Sequence, residues 1–353
     1  MKSIGVIDIA REAGVSTATV SRVLNGSDRV SDRTRAHVLE VIERLGFSPN
    51  ASASNLRRGR SDAIGIAVAS ISQPWYVKLI RELRRAVTAR GMTTVVYDLE
   101  HSSRVLIEHT ESARRLRLAG MILATGDRLD AANVNASLHR LAGSMPLVVI
   151  GQHLDDATWP TVYFDDVAAS EAAADELLER RSRPMLFLGS SARSFLSDQR
   201  REGVRRALEA RPNLLRDSTF IQLDGPMDFA TGYDEVVSRA DELRRYGLIF
   251  CVNDELALGA LRALGELGLR VPEDLMVIGY GDVDMLPYLT PSLSSLSGDV
   301  NAIAGDALEA IMAGIAGEPV FDTRVHSRRI VHRESTEDRA ARPPATAEGA
   351  ARG

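Results

Sequence analysis

Gly14-Val-Ser-Thr-Ala-Thr-Val-Ser-Arg-Val-Leu-Asn25 is a stretch that predicts a turn followed by a short helix. Gly14 can take a positive φ between two helices, and Ser16 is a suitable N-cap residue. One face of the helix is apolar at helical spacing and should be buried; it consists of Val20, Val23 and Leu24. The opposite face is small or polar apart from one long cation; it consists of Thr17, Ala18, Ser21 and Arg22.

The residues on either side complete a three-helix pattern. The preceding helix, about 6–13, carries an apolar stripe of Val6, Ile9, Ala10 and Ala13. Two helices joined by a glycine turn form a helix-turn-helix, whose second helix can enter a major groove. A third helix, capped by Ser31, closes the core with Val38, Val41, Ile42 and Leu45. An ordinary helical hairpin inside a larger core is the alternative interpretation.

Charge is distributed unevenly along the chain. The net charge is −5 over 353 residues, but residues 1–60 hold ten Lys/Arg and six Asp/Glu, a balance of +4. The remaining 33 basic and 42 acidic residues leave −9 for 61–353. A cationic head on an acidic body is typical of a phosphate-binding module joined to a part that does not contact DNA.

The segment 49–61 links the head to the body. It is short and polar, and Leu56 is its single large apolar residue. It is either a flexible linker or a hinge helix that folds only on DNA. In the second case Leu56 would wedge into the minor groove, with Arg57, Arg58 and Arg60 near phosphates.

From Ala63 onward, apolar strands alternate with helices. This pattern predicts parallel sheets covered by helices on both faces, and about nine strands fit two such sheets better than one. Cys251, the single cysteine, lies in an apolar run and should be a buried core residue. The patternless segment 340–353 is expected to be a disordered tail.

Ordered motifs along the chain identify a family resemblance. They are Asp8-Ile-Ala-Arg-Glu-Ala-Gly-Val-Ser-Thr-Ala-Thr-Val-Ser-Arg-Val-Leu-Asn25, Val30-Ser, Leu45-Gly-Phe-Ser-Pro-Asn50, Leu56-Arg-Arg-Gly-Arg60, Ile71-Ser-Gln-Pro-Trp-Tyr76, Val252-Asn-Asp-Glu-Leu-Ala-Leu-Gly259, Val271-Pro-Glu-Asp274, Ile278-Gly-Tyr280 and Arg333-Glu-Ser-Thr336. Over about residues 4–338 the sequence closely resembles the lactose/galactose-repressor family of transcription regulators.

The resemblance implies the architecture of the whole protein. It implies a helix-turn-helix domain (1–48), a hinge helix or linker (49–61) and an α/β core (62–339) like a periplasmic binding protein. The core would have two subdomains, about 62–161 with 293–323 and about 162–292 with 324–339, joined by crossings near 161, 292 and 324. It also implies a homodimer on a pseudo-palindromic double-stranded operator, and a small-molecule effector, a sugar or related metabolite, in the cleft. The absence of a heptad tail favours a dimer over a tetramer.

The resemblance also assigns site residues. DNA would be contacted by Ser16, Thr17, Ala18, Thr19, Ser21, Arg22, Asn25, Asn50, Ala53, Leu56 and Arg57, with Arg22 able to bind guanine O6 and N7. The effector would be contacted by Trp75, Tyr76, Phe164, Ser194, Arg200, Asn253 and Asp282. For Arg200 the alternative is a structural ion pair, for Asn253 a helix cap, and for Trp75 or Tyr76 a core position. Asp165 and Asp166 could equally be helix caps.

Two positions depart from the family pattern. After Ile278-Gly-Tyr280 the family usually has an aspartate that binds ligand hydroxyls, and here Gly281 is followed by Asp282. Either Asp282 substitutes after a backbone shift, or the effector lacks that contact, which places a standard sugar in doubt. Gly5 replaces a threonine that commonly caps the first helix, at a cost of a few tenths of a kcal/mol.

Other function classes fit the sequence less well. It has no phosphate-binding glycine loop, metal-ligand spacing or nucleophile elbow, so we expect neither an enzyme nor a cofactor or metal. Four histidines are expected at the surface: His37, His101, His109 and His139. A secreted binding protein would share the body but needs a signal peptide, and no apolar signal or membrane-spanning run is found. With one cysteine this predicts a cytoplasmic protein.

Overall fold

A computed structural model of the chain describes residues 5–24, 27, 29–45, 61–320 and 322–337. The chain separates into two compact units, Met1–Asp62 and Ala63–Gly353. Two segments with sequence predictions lie outside the described residues: most of the linker (49–60) and the tail at 340–353.

The described residues of the first unit form three short helices. They are α1 (Val6–Glu12), α2 (Thr17–Leu24) and α3 (Asp32–Arg44). Gly14 has a φ of +62° in the turn between α1 and α2, a conformation that favours glycine. Ser31 caps α3 by accepting the Thr34 N–H. Gly5 caps α1 through its backbone, and its N–H donates to Asp8 Oδ2 at 2.9 Å.

The three helices share one apolar core. Its buried residues are Ile9, Ala10, Ala13, Val20, Val23, Val38 and Val41. Leu24, Ile42 and Leu45 pack against them. These are the stripes predicted from helical spacing, so the helix-turn-helix pattern and the third helix are confirmed.

The second unit contains two six-stranded sheets. The first has the order β11-β5-β4-β3-β1-β2, with every pair parallel. The second has the order β12-β10-β9-β8-β6-β7, in which only β10 and β12 are antiparallel. The strands of the first sheet are β1 (Ala63–Val68), β2 (Thr93–Asp98), β3 (Gly120–Ala124), β4 (Leu147–Ile150), β5 (Thr161–Phe164) and β11 (Thr323–His326). Those of the second are β6 (Met185–Ser190), β7 (Thr219–Gln222), β8 (Leu248–Cys251), β9 (Met276–Tyr280), β10 (Ser294–Gly298) and β12 (Arg328–Val331).

Helices cover these sheets and define two lobes. The first lobe contains α4 (Pro74–Thr88), α5 (Ser103–Arg115), α6 (Ala132–Ala142) and α12 (Val300–Ala316). The second contains α7 (Asp166–Arg180), α8 (Phe195–Glu209), α9 (Pro212–Asp217), α10 (Phe229–Val237) and α11 (Asp254–Glu266). The central strands are buried on both faces, as their continuous apolar sequences predict. Cys251 is buried in the second lobe, as expected.

The chain crosses between the lobes three times, each time later than predicted. The first crossing lies between β5 and α7, near 165 rather than 161, because the whole of β5 pairs within the first sheet. The second lies near 299 rather than 292, because β10 still pairs with β9 and β12. The third lies at 327 rather than 324, between β11 and β12. Pairing with distant strands fixes these points.

Candidate functional site

The first candidate surface is the outer face of α2. Ser16, Thr17, Ala18 and Arg22 are exposed, and Thr19 and Ser21 are partly buried. Ser16 Oγ accepts the Thr19 N–H at 3.1 Å and lies 2.9 Å from the Thr19 hydroxyl, so it caps α2. A small, polar and exposed face with one arginine remains, which is the shape that a DNA major groove can admit. The other predicted DNA contacts, Asn25, Asn50, Ala53, Leu56 and Arg57, lie outside the described residues.

The second candidate is a cavity of about 550 Å³ between the two lobes of the core. It lies at the carboxyl ends of strands from both sheets, where ligands bind in open α/β folds. Five of the predicted effector residues line it: Trp75, Tyr76, Ser194, Arg200 and Asn253. Phe164 and Asp282 are not among the lining residues of the described chain.

Trp75 and Tyr76 lie in the first turn of α4 and form an edge-to-face pair with ring centroids 5.1 Å apart. Tyr76 is buried, and its hydroxyl accepts the Gly126 N–H at 3.1 Å. Burial raises the pKa of this hydroxyl, so it stays neutral. The buried Nε1 of Trp75 has no hydrogen-bond partner within the described part of the chain. Trp75 therefore brings an unused donor to the cavity.

Five residues at the lobe junction form what we call the arginine cluster: Phe164, Asp166, Arg200, Tyr280 and Arg328. Arg200 donates from Nε at 3.0 Å and Nη2 at 2.9 Å to Asp166 Oδ2. Arg328 Nε donates at 2.9 Å, and the Tyr280 hydroxyl at 2.8 Å, to Asp166 Oδ1. Asp166 is therefore the hub of the cluster rather than a helix cap, and Asp165 caps α7 instead.

Aromatic rings flank both guanidinium groups of the arginine cluster. Arg200 lies 3.8 Å from the centroid of Tyr280, and Arg328 lies 3.8 Å from that of Phe164 and 4.9 Å from that of Tyr280. Such cation–π contacts strengthen when they are desolvated. The ring of Phe164 thus packs against the guanidinium group of Arg328. Phe164 was predicted to contact the effector but is not among the residues that line the cavity, because the third crossing places Arg328 over its ring.

Arg200 combines the two roles that the sequence left open. It lines the cavity and also forms a buried ion pair with Asp166. Burial opposes ionisation of Asp166, but the charges of Arg200 and Arg328 outweigh it, so the pKa of this carboxyl lies below its usual range. Asp166 is therefore a carboxylate at neutral pH.

Ser194 and Asn253 line the cavity while capping helices. Ser194 Oγ accepts the Ser197 N–H at 3.1 Å and donates to the Gly126 carbonyl of the first lobe at 3.3 Å. Asn253 Oδ1 accepts the Leu256 N–H at 2.9 Å, and its Nδ2 donates to the Met227 carbonyl at 2.7 Å. Asn253 therefore caps α11 and also lines the cavity, with its amide already engaged.

The Gly281–Asp282 departure has a structural explanation. Gly281 lines the cavity with a φ of +128°, and a Cβ there would lie 3.3 Å from Asp254 Oδ2. Asp282 follows with a φ of +56°, and its carboxylate binds Arg333 at 2.6 Å. Asp282 is thus paired with Arg333 and is not among the lining residues, which favours the second alternative, an effector that lacks the usual aspartate contact.

Several lining residues escaped the sequence analysis. His101 is exposed, as expected, but it also lines the cavity, and its Nδ1 lies 3.0 Å from Asp127. The hydrogen bond to Asp127 raises the pKa of His101. Burial raises the pKa of Glu255 to about 7 and that of its buried neighbour Asp254 to about 6. Arg328 was also missed, because no local sequence pattern marks it.

The described residues hold no group of three or more His, Cys, Asp or Glu side chains that could bind a metal ion. Among the same residues, every helix is too short or too polar to cross a bilayer.

Comparisons with known proteins agree with this architecture. Residues 6–50 match the model for bacterial regulatory proteins of the lacI family, and residues 174–336 match a periplasmic binding protein-like domain. The ribose operon repressor of Haemophilus influenzae is 26% identical over 87% of this chain and 91% of its own length. The transcriptional regulator AscG of Escherichia coli is 27% identical over 94% and 97%.

A solved structure shares the fold along the whole chain. It is the lac repressor dimer bound to operator and the anti-inducer ONPF, with a TM-score of 0.83, 23% identity and coverage of 95% of this chain and 99% of that one. The named relatives are regulators rather than enzymes. The chain therefore combines a helix-turn-helix that matches the lacI family of bacterial regulatory proteins with a core that matches a periplasmic binding protein-like domain, and it has the fold of the lac repressor.

Proposed function

We propose that the protein is a sequence-specific transcriptional repressor whose operator affinity is controlled by a small molecule bound between the lobes of its core. One observation carries the proposal: a single chain combines an exposed, arginine-bearing α2 with a cavity between two lobes that is lined by charged, polar and aromatic side chains. A binding protein would have no use for the first feature, and a simple DNA-binding domain would have none for the second. The protein would act in the cytoplasm, without enzymatic activity.

On DNA, we infer that a homodimer places its two α2 helices in successive major grooves of a pseudo-palindromic operator. Thr17, Ala18 and Arg22 would contact base edges, while Ser16, Thr19, Ser21 and Asn25 would contact the backbone. Asn50, Ala53, Leu56 and Arg57 would add minor-groove and phosphate contacts from the linker. The lac repressor structure, a dimer on its operator, supports this arrangement.

The effector would bind against Trp75, Tyr76, Ser194, Arg200 and Asn253, which all line the cavity. Relatives include a repressor of a ribose operon, which supports a sugar or sugar derivative. Both lobes contribute to the wall, so a ligand that contacts both favours one separation of the lobes. Binding would therefore shift the equilibrium between lobe separations, and the linker would couple that shift to operator affinity.

Hydrogen bonds and ion pairs between the two lobes support the proposal that the lobes have a defined relative position. The Leu196 N–H donates to the Gly126 carbonyl at 3.3 Å, and the Arg128 N–H donates to the Arg193 carbonyl at 3.0 Å. Arg128 also pairs with Asp198 at 2.9 Å, and Lys78 with Asp284 at 3.0 Å. Backbone bonds between lobes fix the relative position more strictly than the half-exposed ion pairs do.

The test begins with selection of bound sequences from random duplexes, followed by a salt titration of the best one. A repressor should bind with log K falling steeply and linearly with log salt, because phosphate contacts release counterions. A thermal-shift screen of sugars, sugar phosphates, sugar acids and nucleosides then identifies effectors, since ligands of the native state raise the melting temperature. No enrichment of any sequence would contradict the proposal.

A further inference from the structure

We propose that the effector carries a carboxylate or phosphate group, and that Arg328 and Arg200 of the arginine cluster bind it. The inference deepens the proposed function and rests on it. It names the chemical class of the ligand and assigns a role to Arg328, which lies where the chain crosses between the lobes for the third time.

The first argument is the charge balance of the arginine cluster. Two arginines share the single carboxylate of Asp166, and all three side chains are buried, with exposed fractions of 13% for Arg200, 4% for Arg328 and 1% for Asp166. Burying a charge without a full counter-charge is unfavourable. The cluster therefore holds one positive charge in excess next to the cavity, which both arginines line.

Four carboxyl groups outside the cluster line the cavity, those of Glu100, Asp127, Asp224 and Glu255, and Glu255 interacts electrostatically with Arg200. Burial raises the pKa of Glu255 to about 7, so it supplies only part of a negative charge at neutral pH. An anionic ligand would supply the remainder.

The second argument is the number of unused hydrogen-bond donors. Arg328 bonds to Asp166 through Nε, while its buried Nη1 has no partner within the described part of the chain. Trp75 Nε1 is likewise buried and has no hydrogen-bond partner among the described residues. Buried donors are rarely left without partners, because the lost hydrogen bond destabilises the protein. Donors from opposite lobes, both on residues that line the cavity, call for a ligand rich in acceptor oxygens.

The third argument concerns the acceptors of the cavity wall. The resemblance implies an aspartate that binds ligand hydroxyls, but Gly281 occupies that position and Asp282 is paired with Arg333. Gly281 therefore brings no carboxylate to the wall that Arg200 and Arg328 also line. Arginine binds carboxylate and phosphate oxygens with strong, charge-assisted bonds. Asp127 and His101 elsewhere on the wall can serve hydroxyl groups.

The test compares matched compounds on the full-length protein by calorimetry and thermal shift. The probes are D-glucose, D-glucuronate and D-glucose 6-phosphate, together with D-galactose, D-galacturonate and D-galactose 6-phosphate. We expect at least one anion to bind about tenfold or more tightly than its neutral counterpart. Comparison of the uronates with the phosphates identifies the anionic group.

Variants then locate the anion. Arg328→Gln should reduce the ratio of anionic to neutral affinity by about tenfold or more, and Arg328→Lys, which keeps the charge but loses the fork, by less. Arg329→Gln is the matched control, because Arg329 is the next residue of β12 and is exposed; it should keep the wild-type ratio. If Arg328→Gln fails to fold by circular dichroism, the lysine variant carries the comparison.

Failure of this inference is distinguishable from failure of the proposed function. Neutral sugars that bind as tightly as every anion, or an unchanged ratio in the folded Arg328 variants, would overturn the inference. The proposed function would stand in that case if the protein still bound its selected duplex with steep salt dependence. Loss of sequence-specific DNA binding in the wild-type protein would instead reject the proposed function.

Discussion

At the residue scale, Arg22 is the one long cation among the residues assigned to the reading face of α2, and it is exposed. We expect Arg22→Ala to cost about 1–3 kcal/mol of discrimination between the selected duplex and a scrambled one, because a bidentate contact to guanine would be lost. Competition binding at fixed salt measures this difference.

The control is Arg33→Ala, which removes the same charge from an exposed position on α3. It should weaken binding to both duplexes by a similar factor and leave discrimination unchanged. Equal discrimination by the wild-type protein and the Arg22→Ala variant would remove this arginine from base recognition.

Glu255 makes a second residue-scale prediction. Its pKa is raised by burial from 4.5 to about 7, so the folded state binds its proton more tightly than the unfolded state does. The stability of the protein should therefore fall as pH rises from about 5 to 8. Asp254, with a pKa of about 6, acts in the same direction.

Comparison with Glu255→Gln isolates this contribution. The stability of the variant relative to wild type should increase by about 2–3 kcal/mol between pH 5 and pH 8, measured by urea unfolding. Glu273→Gln removes the same charge from an exposed position and provides the baseline. A constant difference across this pH range would show that Glu255 does not titrate as the cavity geometry requires.

Residue roles could be predicted from the sequence where local pattern decides them. The stripes of α1–α3 and the positive φ of Gly14 follow from spacing and residue type. Arg328 could not be found in this way, because its site exists only once the third crossing lays it over Phe164. The pairing of Asp282 could not be predicted for a related reason: its partner, Arg333, is 51 residues away in the sequence.

At the element scale, the three crossings meet around one side chain. Phe164 ends β5, Arg328 begins β12 above its ring, and a Cβ on Gly298, the last residue of β10, would lie 2.4 Å from Phe164 Cε1. We expect Gly298→Ala to destabilise the protein by about 1–3 kcal/mol, because the packed ring cannot yield without moving Arg328.

Chemical denaturation measures this effect, with Gly305→Ala as the control. Gly305 lies in α12, exposed and with open space around its Cα, so alanine there should stabilise the protein by about 0.5–1 kcal/mol. If both variants shifted stability in the same direction, the close contact at the second crossing would not be a constraint.

The apolar central strands were predictable as elements, but the polar strands beside the lobe crossings were not. Strands such as β1, β3 and β8 are continuous apolar runs that pair on both sides. By contrast β10, with the sequence Ser-Ser-Leu-Ser-Gly, lacks β-branched residues, and its strand form depends on pairing with β9 and β12. The same nonlocal pairing moved each crossing beyond its predicted position.

At the scale of the whole molecule, the uneven charge separates two tasks. Residues 1–60 carry +4, and the remainder carries −9. The acidic core would be repelled by phosphates, so DNA binding should depend on the first unit, while the cavity lies entirely in the second. Control of one by the other must then take the form of a coupling free energy.

Such coupling is reciprocal, and this gives the last prediction. If the compound with the largest thermal shift changes operator affinity by a given factor, the operator must change the affinity for that compound by the same factor. We expect a factor of about 5–150, the usual range for allosteric proteins. Operator affinity is measured by anisotropy with and without saturating compound, and compound affinity by calorimetry with and without bound operator.

A scrambled duplex, bound through phosphates alone, serves as the control. The compound should change affinity for it by a smaller factor, because this duplex lacks the base contacts that hold the helix-turn-helix units of both protomers at operator spacing. A compound that bound the cavity tightly yet left operator affinity unchanged would bind both lobe arrangements equally and could not be the effector.

Since the arginine cluster lies where all three crossings converge, ligands that engage Arg328 should change operator affinity by the largest factors. Any ligand group held there acts on the segments that set the separation of the lobes.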